Sequence, residues 1–396
     1  MTVVDFGTKT LPYGVFRPPG LSPRIGVAVG ELVLDLSHLI DSPKEFAQPS
    51  LNGFLAAGRE RWAEVRSLVT ARVASGVTAG EDGVYAQSDI DVLLPIEVAD
   101  FVDFFSGIEH AVNMGRILRP DDANPLKPNY RHLPVGYHGR AGTVIPSGVG
   151  IVRPCGQVET TDGVVCRRTE RLDIETELGY VVGVPSVLGR PVPASGFRNH
   201  VFGLVILIDW SARDIQAWEY QPLGPFLAKS FATTISSWVV PLAALDEAGW
   251  VDGPVQEPGV LPYLRVDEPR NPDIQLEVQL NGRVLTRPES GRLYWSPAQQ
   301  FAHMTRNGAS VRTGDLYGTG TISSDEPEGM GSLMEISWGG TRPVDLGEDG
   351  SRSFLEDGDE LVLRATIGGD PSRPLGEARA VMLPAMGDGA STHAAT

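Results

Sequence analysis

The stretch Val201 to Ile208, VFGLVILI, is an almost continuous apolar run of strand length. It suits a strand buried on both faces, and Asp209 stands where the run ends, so its carboxylate would be carried by rigid backbone. Ser211 and Asp214 follow with the S-x-x-D spacing of a helix start, and a helix is predicted at once. On that helix Arg213, Gln216 and Tyr220 fall at i, i+3 and i+7, which puts a cation, an amide and a phenol on one stripe. The prolines and glycine of residues 221–225 stop the helix, and Phe226 to Phe231 reads as a second extended segment carrying Lys229. One acid and three donors are thus gathered in a short piece of chain. A solvated helix face with a turn residue at Asp209 fits the same spacing, and spacing alone does not separate the two readings.

At 396 residues the chain exceeds the roughly 250–300 at which single cores stop growing, so two domains are expected. The boundary is placed near residue 90, giving units over 1–90 and 91–385 and a small, polar, disordered tail over 386–396. Tyr13 to Phe16, Arg24 to Val29 and Leu32 to Leu36 are short β-like runs between Gly/Pro turns, as in a small barrel or sheet. Phe54 to Val73 reads as one amphipathic helix, with Leu55, Trp62, Val65, Leu68 and Val69 on one side, and Ala74 to Ser88 as a linker.

A net charge of −17 with no Lys/Arg cluster argues against a nucleic-acid surface and leaves small molecules or proteins as partners. The two cysteines, Cys155 and Cys166, are too few for a disulfide framework and lack zinc spacing, which suits a reducing cytoplasm. MTVVDFGTKTLPYG has neither a basic nor an apolar signal region, and no stretch approaches a membrane span. The expectation is a soluble cytoplasmic protein.

Ile90 to Ile96 reads as a strand. Beyond it, Ser106-x-x-Glu109 has the capping-box spacing, with Asp103 just before the cap and His110 in the first full turn of a helix running to about Leu118. Residues 119–148 form a long Pro/Gly-rich loop carrying Arg119, Tyr137, His138 and Arg140, a length and composition more typical of function than of idle connection. Arg171 to Val182 alternates, with Leu172, Ile174 and Leu178 on one face and Asp173, Glu175 and Glu177 on the other. Glu175 and Glu177 then point the same way, about 7 Å apart, and need a cation or open water. A strand hairpin is expected around Asn281-Gly282. A Gly-rich loop leads into a strand, Leu333 to Trp338, on which Glu335 alternates with apolar neighbours.

No G-x-S-x-G, P-loop or H-E-x-x-H motif is present, and Gly318-Thr-Gly320 alone does not indicate a dinucleotide site. What remains is a set of hard oxygen donors, Asp103, Glu175, Glu177 and Asp209. Carboxylates without thiolate or paired imidazole favour Ca²⁺, Mg²⁺ or Mn²⁺ over zinc. His110 is the histidine nearest these acids in sequence and the candidate general base, although a lone helical histidine is also an ordinary structural residue.

The runs Leu133-Pro-Val-Gly-Tyr137-His-Gly-Arg140, Asp209-Trp-Ser-Ala-Arg-Asp-Ile-Gln216, Trp218-Glu-Tyr220-x-Pro-Leu-Gly-Pro-Phe, Lys229-Ser-Phe and Gly320-Thr-Ile-Ser323 strongly resemble the fumarylacetoacetate hydrolase family, over nearly the whole chain. The resemblance implies a mixed β fold with some α: a small SH3-like N-terminal barrel followed by a larger mixed β-roll, assembled as a homodimer. It implies metal-dependent hydrolysis of the carbon–carbon bond of a β-diketo acid, 4-fumarylacetoacetate, to fumarate and acetoacetate, the last step of tyrosine and phenylalanine degradation. By the same resemblance Asp103, Glu175, Glu177 and Asp209 hold Ca²⁺, and Asp209, Lys229 and Thr233 lie at a Mg²⁺ site. His110 is the base, Glu335 orients it, and Arg213, Gln216 and Lys229 stabilise developing negative charge. Arg119, Tyr137, Tyr220 and Thr321 match positions that hold substrate oxygens.

Two positions depart from the family pattern. Phe105 stands where D-F-Y has a substrate-contacting tyrosine, and Ala232 replaces the glycine of K-S-F-G-T beside the Mg²⁺ site. Two other readings stay open: a hydrolase or decarboxylase of a related acylpyruvate or 2-oxo diacid, and a non-enzymatic calcium-binding protein.

Overall fold

The computed structural model describes residues 3–40, 42–246, 249–267 and 270–386. The expected C-terminal tail lies, after Met386, outside the described residues. The apolar run does form the central strand, Val201–Ala212, buried along its whole length. It continues four residues past Ile208, because its pairing with Leu172–Val182 stays in register as far as Ala212, which stands opposite Leu172.

These two strands are the middle of a mixed sheet. From Val201–Ala212 it continues through Trp238–Pro241 to the N-terminal strands Tyr13–Arg17, Arg24–Val29, Leu32–Asp35 and Val84–Ala86. On the other side Leu172–Val182 leads to Leu316–Gly318, Phe101–Phe104 and Gly136–His138. The N-terminal strands therefore extend the central sheet, and among the described residues their pairing is an open ladder rather than a closed barrel. A second sheet of five strands contains the hairpin Ile274–Leu280/Arg283–Thr286. Its turn residues Asn281 and Gly282 both have positive φ, 51° and 79°, as the two-residue turn requires.

Alternation along the two central strands sorts their side chains. Ile174, Leu178, Tyr180, Leu204, Ile206, Ile208 and Trp210 enter the core shared with the five-stranded sheet. Glu175 and Asp209 are cross-strand partners on the opposite face. Among the described residues no helix is long and apolar enough to cross a membrane.

Several local expectations are corrected. The helix expected over Phe54 to Val73 is two, Asn52–Ala56 and Arg59–Ala74, because Gly58 adopts φ 85° and breaks the hydrogen-bond run. The expected linker supplies the edge strand Val84–Ala86. Neither predicted cap forms: Gly107 and Ala212 precede their helices without side-chain bonds, and Ser106 is bonded by Gln300 instead. The segment expected to be extended over Phe226 to Phe231 contains a helical turn, Leu227–Ser230, because the Glu219 carboxylate accepts from the backbone N–H groups of Phe226 and Ala228. Glu335 lies on a short helix, Leu333–Ile336, and not on a strand.

Candidate active site

The site lies on the face of six adjacent strands that is turned away from the core shared with the five-stranded sheet. Asp209 is paired with Thr233 on one side and Glu175 on the other, while Asp103 is paired with Tyr137 and with Gly318. Asp103, Glu175, Glu177 and Asp209 each bring one carboxylate oxygen within 4.8 Å of all the others, and all four are buried. A Cβ at Gly318 would stand 2.7 Å from Glu177 Oε2 and 3.0 Å from Asp103 Oδ1, so only glycine leaves the carboxylates room to converge. The next glycine, Gly320, donates its N–H to Glu177 Oε2 at 2.9 Å. The Gly318-Thr-Gly320 run thus serves this cradle, a role with no signature in its spacing.

Electrostatics follow from crowding. Lys229 Nζ donates to Glu175 Oε2 at 2.7 Å and to Asp209 Oδ2 at 2.5 Å, and Arg213 Nη1 lies 2.7 Å from Glu175 Oε1. Burial opposes ionisation of Glu175, but Lys229, Arg213 and His110 outweigh it and hold the carboxyl far below its usual range. Burial, and then the Asp209 charge, push Asp103 well above that range, and burial and the Asp103 charge do the same to Glu177. Asp209 is also raised, mainly by burial. Asp103 Oδ1 and Glu177 Oε1 are buried without a hydrogen-bond partner. Buried oxygens left in this state are costly, and a divalent cation bound by hard oxygens fits all four residues.

His110 is buried beside the cluster, with Nε2 3.8 Å from Glu175 Oε1 and 3.1 Å from Thr321 Oγ1. Nδ1 lies 2.7 Å from Glu335 Oε2. Asn113 donates to the other Glu335 oxygen at 3.0 Å, and Ser323 and Ser332 donate to Oε2 at 2.9 and 2.7 Å. Burial would raise Glu335, but the His110 charge and these donors overcome it and keep the carboxylate ionised. With Nδ1–H donated to Glu335, Nε2 is the basic nitrogen and faces the carboxylate cluster.

The other expected residues divide. Gln216 Oε1 accepts from Arg213 at 3.0 Å, and the Tyr137 hydroxyl donates to Asp103 at 2.8 Å. Tyr137, Asp209, Lys229 and Thr233 line a cavity of about 270 Å³ together with His138 and Arg140, so the second half of the long loop reaches the site. Phe105 packs edge-on to the His110 ring at 5.3 Å. Two residues are not brought in. Arg119 bonds the Pro125 carbonyl, and the Tyr220 hydroxyl accepts from Gln221, neither touching the cluster.

Asp173 has no role in the sequence reading and a central one here. Fully buried, it accepts from Arg213 Nε at 2.7 Å and from the backbone N–H groups of Leu333 and Met334 at 2.8 and 3.2 Å. It thereby fixes both the guanidinium and the start of the helix that carries Glu335. Its place on the polar face of Leu172–Val182 was legible, whereas its partners are distant in sequence. Ser332-x-x-Glu335 itself has the helix-start spacing and would have signalled that helix. Asp173→Asn is expected to cost about 1.5–3 kcal/mol, the range for a hydrogen bond to a charged group, as a lowered urea midpoint.

The chain matches the family profile described as fumarylacetoacetate (FAA) hydrolase C-terminal over residues 101–380 and the one described as fumarylacetoacetase N-terminal over 9–95. The fumarylacetoacetase of Homo sapiens is 43% identical over 408 residues, covering 96% of this chain and 97% of that protein. That of Arabidopsis thaliana is 43% identical over 391 residues, 92% of each chain. Among solved structures, the fumarylacetoacetate hydrolase of Exiguobacterium antarcticum aligns with a TM-score of 0.58 at 18% identity, over 94% of this chain and 99% of that one. A maleylpyruvate hydrolase from Sphingobium aligns at 0.53 and 12% identity, over 94% and 100%. These two share the fold.

Proposed function

The chain belongs to the fumarylacetoacetate hydrolase family, and from that premise we propose that it hydrolyses 4-fumarylacetoacetate to fumarate and acetoacetate. The observation that carries the reading is the His110–Glu335 pair, with its basic nitrogen aimed at a cluster of four buried carboxylates. A cation-binding protein without catalysis needs the cluster but not the pair.

We assign Ca²⁺ to Asp103, Glu175, Glu177 and Asp209, and Mg²⁺ to the neighbourhood of Asp209, Lys229 and Thr233. A protonated Lys229 has no lone pair to offer, so its ammonium is not a ligand there. A divalent cation at the carboxylates supplies Lewis acidity toward the diketone oxygens. The chain's own residues do the rest. His110 Nε2 takes a proton from water, and Glu335 stabilises the resulting imidazolium through Nδ1–H. The water oxygen bonds to the carbonyl carbon, and the bond to the neighbouring carbon breaks as its electron pair leaves toward acetoacetate. His110 returns the proton to that carbanion.

Arg213, Gln216 and Lys229 offer donors to the developing negative charge, each worth about 3–4 kcal/mol if preorganised as in an oxyanion hole. Arg213 has one terminal nitrogen, Nη2, buried without a partner. Tyr137 and Thr321 are assigned to substrate oxygens. Arg119 and Tyr220 would have to move, or meet the substrate beyond the cluster. The reading includes a cytoplasmic homodimer acting on a small β-diketo acid.

The test is loss of diketone absorbance when the metal-loaded protein meets fumarylacetoacetate, with fumarate and acetoacetate as products. A persistent diketone would sink the assignment and point to acylpyruvates or 2-oxo diacids, a second reading favoured by Phe105. Phe105→Tyr, which restores a hydroxyl beside His110, is expected to lower KM about two- to tenfold with kcat nearly unchanged, as steady-state kinetics would show.

A further inference from the structure

His110 is the third residue of the helix Ile108–Leu118, and Glu335 the third of the short helix Leu333–Ile336. Both side chains thus leave a first helical turn, whose backbone N–H groups have no partner inside the helix. Yet Nδ1 and Oε2 meet at 2.7 Å across 225 positions of sequence. Something must fix the two turns against each other.

Asn113 stands three residues after His110 and therefore shares its helix face. It is 5% exposed, and Nδ2 donates to Glu335 Oε1 at 3.0 Å. An ionised carboxylate only accepts, so the amide nitrogen and not the amide oxygen faces it. The two Glu335 oxygens are served unequally. Oε2 meets His110 Nδ1 and accepts from Ser323 and Ser332, whereas Asn113 is the only donor to Oε1 among the described residues.

That asymmetry has a mechanical consequence. The last torsion of a glutamate side chain is broad and roughly twofold, so a carboxylate held at one oxygen turns about it easily. Held at both oxygens, it does not. One helix then supplies both the imidazole and the amide that fixes the partner of the imidazole.

We propose that Asn113 is a positioning residue for the base: it pins the plane of the Glu335 carboxylate, so that Oε2 stays in line with His110 Nδ1–H and Nε2 stays turned to the carboxylate cluster. The proposal rests on the reading of His110 as the base. Asn113 is neither one of the four converging carboxylates nor part of the lining of the 270 Å³ cavity, so it acts through Glu335 and not on a ligand.

The experiment takes the full chain with Asn113→Ala, Asn113→Asp, Glu335→Gln and the double variant Asn113→Asp/Glu335→Gln. Steady-state kinetics with fumarylacetoacetate and the proton NMR signal of His110 Nδ1–H are the two readouts. In Asn113→Ala kcat should fall by about ten- to a hundredfold, the scale of a misplaced catalytic group, with KM close to the parent's. Its N–H signal should shift upfield or vanish by exchange with water as the bond to Oε2 loosens. Asn113→Asp opposes two carboxylates and should lose more. In the double variant amide and carboxylate exchange places: the amide now at 335 donates to the carboxylate now at 113 and keeps its oxygen for Nδ1–H. It should therefore exceed Asn113→Asp in kcat and regain the N–H signal, a coupling that independent sites do not show.

An unmoved N–H signal in Asn113→Ala overturns the proposal whatever the kinetics and leaves Asn113 to packing. Parent-like kcat in that variant overturns it as well, and so does a double variant that merely adds the losses of the two single ones. Should Asn113→Ala not fold, the comparison of the double variant with Asn113→Asp decides alone. A parent that leaves fumarylacetoacetate intact counts against the functional reading, while the N–H signal still tests Asn113.

Discussion

Replacing His110 with alanine is expected to lower kcat by about 10²–10⁴-fold, the usual contribution of a positioned general base. kcat and kcat/KM should fall together, because the proton is taken in the transition state and not on binding. Divalent-cation affinity should stay close to that of the parent, since His110 approaches Glu175 only to 3.8 Å and is not one of the four converging carboxylates. Single-turnover kinetics with fumarylacetoacetate, alongside calorimetric titration of Ca²⁺, separates the two effects. Cleavage at the parent's rate would remove His110 from the mechanism, and a protein that only binds cations would give that result. Glu335→Gln should fall short of the His110 effect. It keeps one acceptor oxygen for Nδ1–H but loses the charge that stabilises an imidazolium.

Chelation is expected to abolish turnover and to destabilise the fold, and Glu177→Gln should separate these consequences. Without a cation, Asp103, Glu175, Glu177 and Asp209 crowd one buried volume, and two of their oxygens have no partner. Lys229 and Arg213 serve Glu175 and Asp209 and leave Asp103 and Glu177 without a cationic partner. Glutamine removes the group whose ionisation burial and the Asp103 charge oppose, so in chelator Glu177→Gln is expected to be more stable than the parent by about 1–3 kcal/mol. With Ca²⁺ in excess the order should reverse, because the parent gains binding free energy that the amide forfeits. Denaturation with and without chelator gives both comparisons. A parent that melts identically in the two conditions would sink the assignment of this cluster as a cation site.

Much of the site was legible because the sheet imposes a period of two. Placing Glu175 and Glu177 on one face of a strand, and Asp209 at the end of a buried one, needed no tertiary information. The apolar run at Val201 was likewise legible as a strand buried on both faces, and the structure places it in the middle of the sheet. Short elements were misread where a side chain distant in sequence decides the backbone. Glu219 turns residues 227–230 into a helix, and Asp173 holds the start of 333–336. Gly58 and the Ser332 cap are the exceptions, local signals sufficient to divide one predicted helix and to start another.

By itself the sequence determined which residues share a face, which runs are buried and which atoms are hard ligands, since these follow from local period and side-chain chemistry. Only the tertiary structure decided which of them meet. His110 and Glu335 are separated by 225 positions, and Asp103 reaches the other acids through a parallel pairing with Leu316–Gly318. The same distinction separates Arg213 from Tyr220. One helical stripe carries both, but Asp173 and Glu175 draw the guanidinium inward while the phenol, at the helix end, turns to Gln221. Spacing along a helix sets direction, and the charges packed against it set which side chain enters the site.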